Sequence, residues 1–148
     1  MITGFNHTSF TVADIERSVL FWTNVLGFKV ASVSPRSGGW QERLTGIPGA
    51  KLMVAHLYGY GHHMEFIQYL EAAGEASKLL PNMPGVAHVC LEVTDIDRTW
   101  NALLAAGATA QGNIAEVSVG PATGCKAGYI RDPGGIIIEL LEARIQTD

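Results

Sequence analysis

An internal repeat is the sequence feature that most constrains the fold. When His88 is placed over His7, an offset of 81 residues, four further identities follow: Val93 on Val12, Asp95 on Asp14, Ile96 on Ile15 and Arg98 on Arg17. Each copy reads as a short alternating strand that holds a histidine, followed by an Asp-Ile pair and an apolar pattern with helical spacing. Similarity at a fixed offset indicates one supersecondary unit used twice. The duplication therefore predicts two histidines in equivalent positions about a pseudo-twofold axis.

Each copy predicts a strand and then a helix. Residues 5–12 alternate, with His7 on one face and Phe10 on the other. Asp14 and Asp95 stand where helix N-caps are expected, because a carboxylate can accept from the first free backbone N–H groups. Gly27 and Gly107 follow the apolar stripes and predict where the two helices end.

The remaining segments complete two βαβββ modules. The sequence predicts module 1 at about residues 1–70, a linker at 71–85 and module 2 at about 86–145, within a single domain spanning 1–148. The Asp-Pro-Gly-Gly turn at 132–135 lies between two apolar runs and predicts a closing hairpin. The other predicted segments are strands at 28–33, 41–44, 51–58 and 63–70, and an irregular loop at 34–40.

Composition excludes several classes of protein. With 148 residues, 47% hydrophobic and only 16% charged, the chain suits one compact domain with a sizeable core. A net charge of −4 with scattered basic residues argues against nucleic-acid binding. No signal peptide or run of about 20 apolar residues is evident. Two cysteines give no disulfide framework, so we expect a cytoplasmic protein. The charge and the lack of a long apolar run predict that it has no nucleic-acid or membrane partners.

Two glutamates inside apolar strands need an explanation, because an unpaired buried carboxylate is costly. Glu65 lies in the closing strand of the first module and Glu139 in that of the second, as His7 and His88 lie in the opening strands. Imidazole and carboxylate donors together suit a divalent transition metal: Ni, Co, Zn, Mn or Fe. The sequence therefore predicts one metal ion held by His7, Glu65, His88 and Glu139.

Each of these residues also has a simpler interpretation. His7 taken alone is more often a packed strand histidine than a ligand, and Glu65 alone can face solvent. Glu139 can pair with Lys126 or Arg131 across the final hairpin. The matched placement in two repeats favours the joint metal site. Two other residues stay in view: His63 as a substitute ligand and Cys90 as part of the site lining.

Three motifs resemble one known superfamily. They are FWTNVLGFKV at 21–30, GVAHVCLEV at 85–93 and YIRDPGGIIIELLE at 129–142. Together with the histidine-led first strand, they resemble the vicinal oxygen chelate (glyoxalase I/bleomycin resistance/extradiol dioxygenase) superfamily over nearly the whole chain. The resemblance implies an α+β fold in which two βαβββ modules form an open, cupped mixed sheet around a metal. It also implies that equivalent strands supply the same four ligands.

The resemblance is nearest to members of the glyoxalase I type, because a glutamate stands at position 65. It implies a lyase or isomerase that moves a proton next to a carbonyl through a metal-stabilised enediolate. Glu139 is then the first candidate for the base, as a ligand glutamate that can leave the metal, and Glu42 is a weaker candidate by analogy with methylmalonyl-CoA epimerase. Glu42 beside Arg43 is otherwise an ordinary solvated charge.

Other activities within the superfamily stay open at this point. An extradiol-type dioxygenase acting on a small aromatic substrate is one alternative, and a metal-free binding protein that sequesters a ligand is another. Recognition of glutathione or coenzyme A requires placed cations, and few basic residues are available for it. The resemblance further implies a small-molecule substrate and a homodimer, with the metal site formed within one chain or between two. The basic residues available for recognising glutathione or coenzyme A are Arg36, Arg43, Lys51, Lys126 and Arg131.

Overall fold

The computed structural model describes residues 1–75 and 77–143. The chain divides into two compact units, Met1–Ser77 and Lys78–Asp148. Residue 76 of the predicted linker and residues 144 and 145 at the predicted end of module 2 lie outside the described residues. Within the described ranges, no helix has the length and apolarity needed to cross a membrane.

The first unit contains a four-stranded mixed sheet with the order β1-β4-β3-β2. Strand β1 pairs with β4 in parallel, and the other neighbours are antiparallel. Trp22 is completely buried, with its ring 5.0 Å from Phe28 and 5.3 Å from Phe66, so helix α1 packs on the sheet through aromatic contacts. The elements are β1 (Thr8–Thr11), α1 (Ile15–Asn24), β2 (Lys29–Arg36), α2 (Trp40–Thr45), β3 (Lys51–Gly59) and β4 (His62–Glu71).

The second unit repeats this plan. Its sheet has the order β5-β9-β8-β6, and β5 pairs with β9 in parallel. Two short strands, β6 and β7, pair with opposite ends of β8, so together they take the place that β2 has in the first unit. The elements are β5 (His88–Val93), α3 (Ile96–Ala105), β6 (Thr109–Ala110), β7 (Ala115–Glu116), β8 (Lys126–Arg131) and β9 (Ile137–Glu142). The predicted α+β class with two repeated modules and a closing hairpin is confirmed.

The repeat extends to the way each helix begins. Asp14 accepts a hydrogen bond from the Arg17 N–H at 3.0 Å, and Asp95 accepts one from the Arg98 N–H at 2.9 Å. At the start of each helix, a second free backbone N–H donates to a side-chain oxygen on the closing strand of the same unit. The Ile15 N–H donates to Gln68 Oε1 at 3.1 Å, and the Ile96 N–H donates to Glu142 Oε2 at 2.6 Å.

Two predicted segments are wrong. Residues 41–44 are not a strand but lie in helix α2, which Gly39 and Gly46 bound with positive φ angles of 78° and 72°. The run Gln-Glu-Arg-Leu consists of good helix formers, and this local preference decides its structure. The predicted loop from residue 34 is also wrong, because β2 continues to Arg36. Pro35 is tolerated there because β2 is an edge strand.

We expect the two cap residues to stabilise their helices equally. Asp14→Ala and Asp95→Ala should each lower the free energy of unfolding by about 1 kcal/mol, because each leaves a helix N–H without its acceptor. Urea denaturation followed by circular dichroism measures the change. Asp14→Asn and Asp95→Asn are the matched controls and should retain most of the stability, since asparagine also caps. A loss of stability in only one of the two alanine variants would contradict equivalent capping.

Candidate metal centre

In the first unit, the side chains of His7 and Glu65 form a close pair. Glu65 lies opposite Ser9 in the parallel β1–β4 pairing, and this register brings the His7 side chain to the same face. His7 Nε2 is 3.4 Å from Glu65 Oε1, and the glutamate side chain is only 15% exposed. His7 Nδ1 lies 2.7 Å from Asn6 Oδ1. Asn6 thus favours the proton on Nδ1, which leaves the Nε2 lone pair for another partner.

Two further histidines, His56 and His63, lie beside the His7–Glu65 pair. His56 lies directly across the β3–β4 hairpin from Glu65, with its Nε2 3.8 Å from Glu65 Oε2. The other nitrogen of His56 is 3.0 Å from His63 Nε2. His63 also stacks on Tyr58, with the ring centroids 4.3 Å apart. Burial lowers the pKa of His56 below its ordinary value, although the Glu65 carboxylate opposes that effect.

In the second unit, His88 and Glu139 form the equivalent pair. Their closest atoms, His88 Nε2 and Glu139 Oε2, are 3.0 Å apart, and the glutamate side chain is 23% exposed. Tyr129 lies across the β8–β9 hairpin from Glu139, and its hydroxyl is 3.5 Å from His88 Nε2. The second unit therefore has a tyrosine at the position where the first unit has His56.

The thiol and the phenol beside Glu139 are both held in their neutral forms. Cys90 lies opposite Glu139 in the parallel β5–β9 pairing. Burial raises the pKa of the Cys90 thiol, and the charge of Glu139 raises it further. Burial and the same carboxylate raise the pKa of Tyr129. Raising both pKa values keeps the Cys90 thiol and the Tyr129 phenol protonated beside the Glu139 carboxyl group.

The chemistry and spacing of both pairs fit a divalent metal. Metal–nitrogen and metal–oxygen bonds of about 2.1 Å place two donors of one ion about 3.0 Å apart at a right angle and about 3.4 Å apart at a tetrahedral angle. The separations in the two pairs are 3.0 Å and 3.4 Å. Among the described residues, no group of three or more His, Cys, Asp or Glu side chains is gathered as a complete metal site. The structure thus places a pair of donors in each unit.

The simpler interpretations of the glutamates find no support in the geometry. Glu65 is mostly buried and does not face solvent. Glu139 pairs with His88, whereas Lys126 binds Asp97 at 3.2 Å. Arg131, which is only 6% exposed, donates to Gln111 Oε1 and to the Gly135 and Leu79 carbonyl oxygens.

The second candidate base lies elsewhere in the first unit. Glu42 is exposed on helix α2 rather than in the strand that the sequence predicted. Within the described part of the chain, the ion pairs do not include it. The positions of His56 and Tyr129 were missed at the sequence level. His56 is found by counting outward from the turn at 59–62, since it lies three residues before that turn and Glu65 three residues after it. The same count from the Asp-Pro-Gly-Gly turn misses Tyr129 by one residue, because the loop between the paired residues Arg131 and Ile137 is one residue longer than that motif.

The glutamates lie on equivalent closing strands, whereas His88 begins β5 and His7 lies just before β1, so the expectation that His7 lies within the opening strand is wrong by one residue. The duplicated α+β fold, with a histidine–glutamate pair in each unit, defines a two-module protein. A sequence model of the Glyoxalase/Bleomycin resistance protein/Dioxygenase superfamily matches residues 4–140. The chain belongs to this superfamily.

Relatives of known name include two enzymes. A lactoylglutathione lyase from Salmonella typhimurium is 30% identical over 142 residues, which cover 93% of this chain and 91% of the relative. A 2-epi-5-epi-valiolone epimerase from an Actinomyces species is 28% identical over 144 residues, covering 92% of this chain and 77% of the relative.

Solved structures share the fold. A glyoxalase family protein from Bacillus cereus matches with a TM-score of 0.83 at 23% identity, over 97% of this chain and 96% of the other. A fosfomycin resistance protein from Listeria monocytogenes, in complex with Mn(II) and sulfate, matches with a TM-score of 0.62 at 14% identity, over 99% and 97%. At these identities the likeness concerns the fold alone.

The two cations of β8 should differ sharply in their effect on stability. Arg131→Ala should lower the free energy of unfolding by about 3 kcal/mol, because a buried guanidinium that donates to three oxygens is lost. Lys126→Ala is the matched control on the same strand, and its exposed ion pair should contribute little. Urea unfolding curves of the two variants test this. Similar losses for both would contradict a structural role for Arg131.

Proposed function

We propose that the protein is a metal-dependent lyase or isomerase that transfers a proton at a carbon next to a carbonyl group of a small molecule, acting as a homodimer. The observation on which this proposal rests is that each unit contains a histidine–glutamate pair whose closest nitrogen and oxygen atoms are separated as two ligands of one metal ion would be. Membership of the superfamily supports it, as do one relative named as a lyase and another named as an epimerase.

The proposed ligands are His7, Glu65, His88 and Glu139. When bound, a divalent cation supplies positive charge beside the substrate oxygens, which lowers the energy of the negative charge that develops as the proton leaves carbon. The imidazoles offer nitrogen donors, and the two carboxylates offset the charge of the ion. Asn6 supports this set by favouring the tautomer of His7 that leaves Nε2 free.

Glu139 is the proposed proton acceptor. Its side chain is more exposed than that of Glu65, and its neighbours Cys90 and Tyr129 are neutral. Glu65 is held differently, since His7 faces one of its oxygens and His56 faces the other. The more exposed carboxylate is better suited to reach a substrate, take the proton and return it to the neighbouring carbon.

Metal titration tests the ligand set without any assay of activity. Apo protein prepared with a chelator should bind about one equivalent of Co(II) per chain, followed by its visible absorption bands. His7→Ala, His88→Ala and Glu65→Gln should each weaken binding by roughly tenfold or more. Glu116→Gln, an exposed acid on β7, is the control and should leave the titration unchanged. Unaltered binding in the His88 variant would rule out this site.

Turnover tests the base. With the metal bound, Glu139→Gln should lower kcat for hemithioacetal isomerisation by roughly a hundredfold or more, since a general base contributes on that scale. Glu116→Gln again serves as control. If Glu42→Gln abolishes turnover while the Glu139 variant does not, the base is Glu42. Oxygen uptake with catechols, or tight ligand binding without metal, would instead favour the dioxygenase or the binding protein.

A further inference from the structure

An open groove of about 320 Å³ lies in the second unit. Pro81, Ala127 and the Gln111-Gly112-Asn113 turn line it, together with Gly128 and Tyr129 of β8. Tyr129 joins the groove to the proposed centre, because its hydroxyl lies 3.5 Å from His88 Nε2. The volume lies at the small end of the range for ligand pockets. It equals about ten water volumes, enough for roughly ten non-hydrogen atoms of a ligand.

Every residue that lines this groove is uncharged. Most of its exposed lining is apolar, and the lining residues with polar side chains are Gln111, Asn113 and Tyr129. Arg131 Nε donates to Gln111 Oε1 at 2.7 Å, which orients that amide. The NH₂ group of Gln111 is then the part of the side chain that can donate to a ligand. Such groups suit hydroxyl and carbonyl oxygens, whereas a carboxylate or phosphate needs charged donors to offset its desolvation.

The basic residues that the sequence offered for a charged substrate are not among the residues that line this groove. Both basic residues of β8 have other partners, since Lys126 binds Asp97 and Arg131 is buried against neutral oxygens. In the first unit, Lys51 pairs with Glu71 at 2.8 Å. The Arg36 guanidinium donates to the Ser34 hydroxyl and the Pro35 carbonyl. Four of the five cations that the sequence offered for anion recognition thus have other contacts.

We infer that the substrate group seated in this groove is uncharged, and that the substrate class is a small hydroxy-carbonyl compound rather than a glutathione or coenzyme A conjugate. This rests on the proposed function for its chemical step. In that step a proton leaves the hydroxyl-bearing carbon and is returned to the former carbonyl carbon, while the hydroxyl proton passes to the former carbonyl oxygen, so an isomer forms and no oxidant or reductant is needed.

Two hemithioacetals of methylglyoxal separate the classes in one reaction. The adduct of 2-mercaptoethanol is uncharged, whereas the adduct of glutathione carries carboxylates. With metal bound, kcat/KM should be roughly tenfold or more higher for the uncharged adduct, because the groove offers no cation to a carboxylate. A preference for the glutathione adduct that weakens as salt is added would overturn the inference.

Binding is tested separately from turnover by NMR on ¹⁵N-labelled protein. Dihydroxyacetone and lactate are of similar size, and only lactate is charged. Dihydroxyacetone should shift the side-chain amides of Gln111 and Asn113 and the backbone amides of Gly112 and Gly128, whereas lactate should not. Ala127→Leu should fill the groove and remove these shifts. Ala122→Leu, at an exposed turn, is the control and should keep them.

Hemithioacetal turnover and the NMR shifts together distinguish a failure of the proposed function from a failure of the uncharged-ligand groove. Shifts with dihydroxyacetone but no turnover of either hemithioacetal would refute the proposed function and leave the uncharged-ligand groove standing. Turnover without shifts, or equal shifts from lactate, would refute the groove and leave the proposed function standing.

Discussion

The parallel pairing of the first and last strands in each unit is the interaction on which the candidate centre depends. Ser9 lies opposite Glu65, and Cys90 lies opposite Glu139, so the register is the same in both units. A shift of one residue would exchange each glutamate with an apolar neighbour. Phe66 and Leu140, almost completely buried, oppose such a shift. The apolar side of each closing strand therefore fixes where the carboxylate meets the histidine.

The closing strand of each unit also caps the helix of that unit. Gln68 and Glu142 each lie three residues after the proposed ligand, and each accepts the first N–H of the helix in its unit. The same short segment thus supplies a donor to the candidate centre and a cap to the helix that covers the sheet. A substitution that disturbs one function would disturb the other, because both depend on the position of one strand.

Much of this arrangement is readable from sequence, since the repeat, the helix caps and the Asp-Pro-Gly-Gly hairpin are local patterns with direct physical meaning. The failures have equally local causes. Helix α2 forms because helix preference outweighed a weak strand pattern, and β2 passes through Pro35 because an edge strand does not need that N–H. The groove was beyond sequence reasoning, because it depends on how a turn packs beside β8.

The two units share a backbone plan, yet they surround equivalent glutamates with different chemistry. Duplication gives two matched donor pairs, but a histidine faces Glu65 where a tyrosine faces Glu139. The tyrosine also lines the uncharged groove, and its glutamate is the more exposed of the two. A reaction that needs one fixed ligand and one movable base requires such a difference, which a perfectly symmetric repeat cannot provide. On the proposed function, divergence at the position facing each glutamate favours the second unit as the place of proton transfer, because the groove lined by Tyr129 lies there.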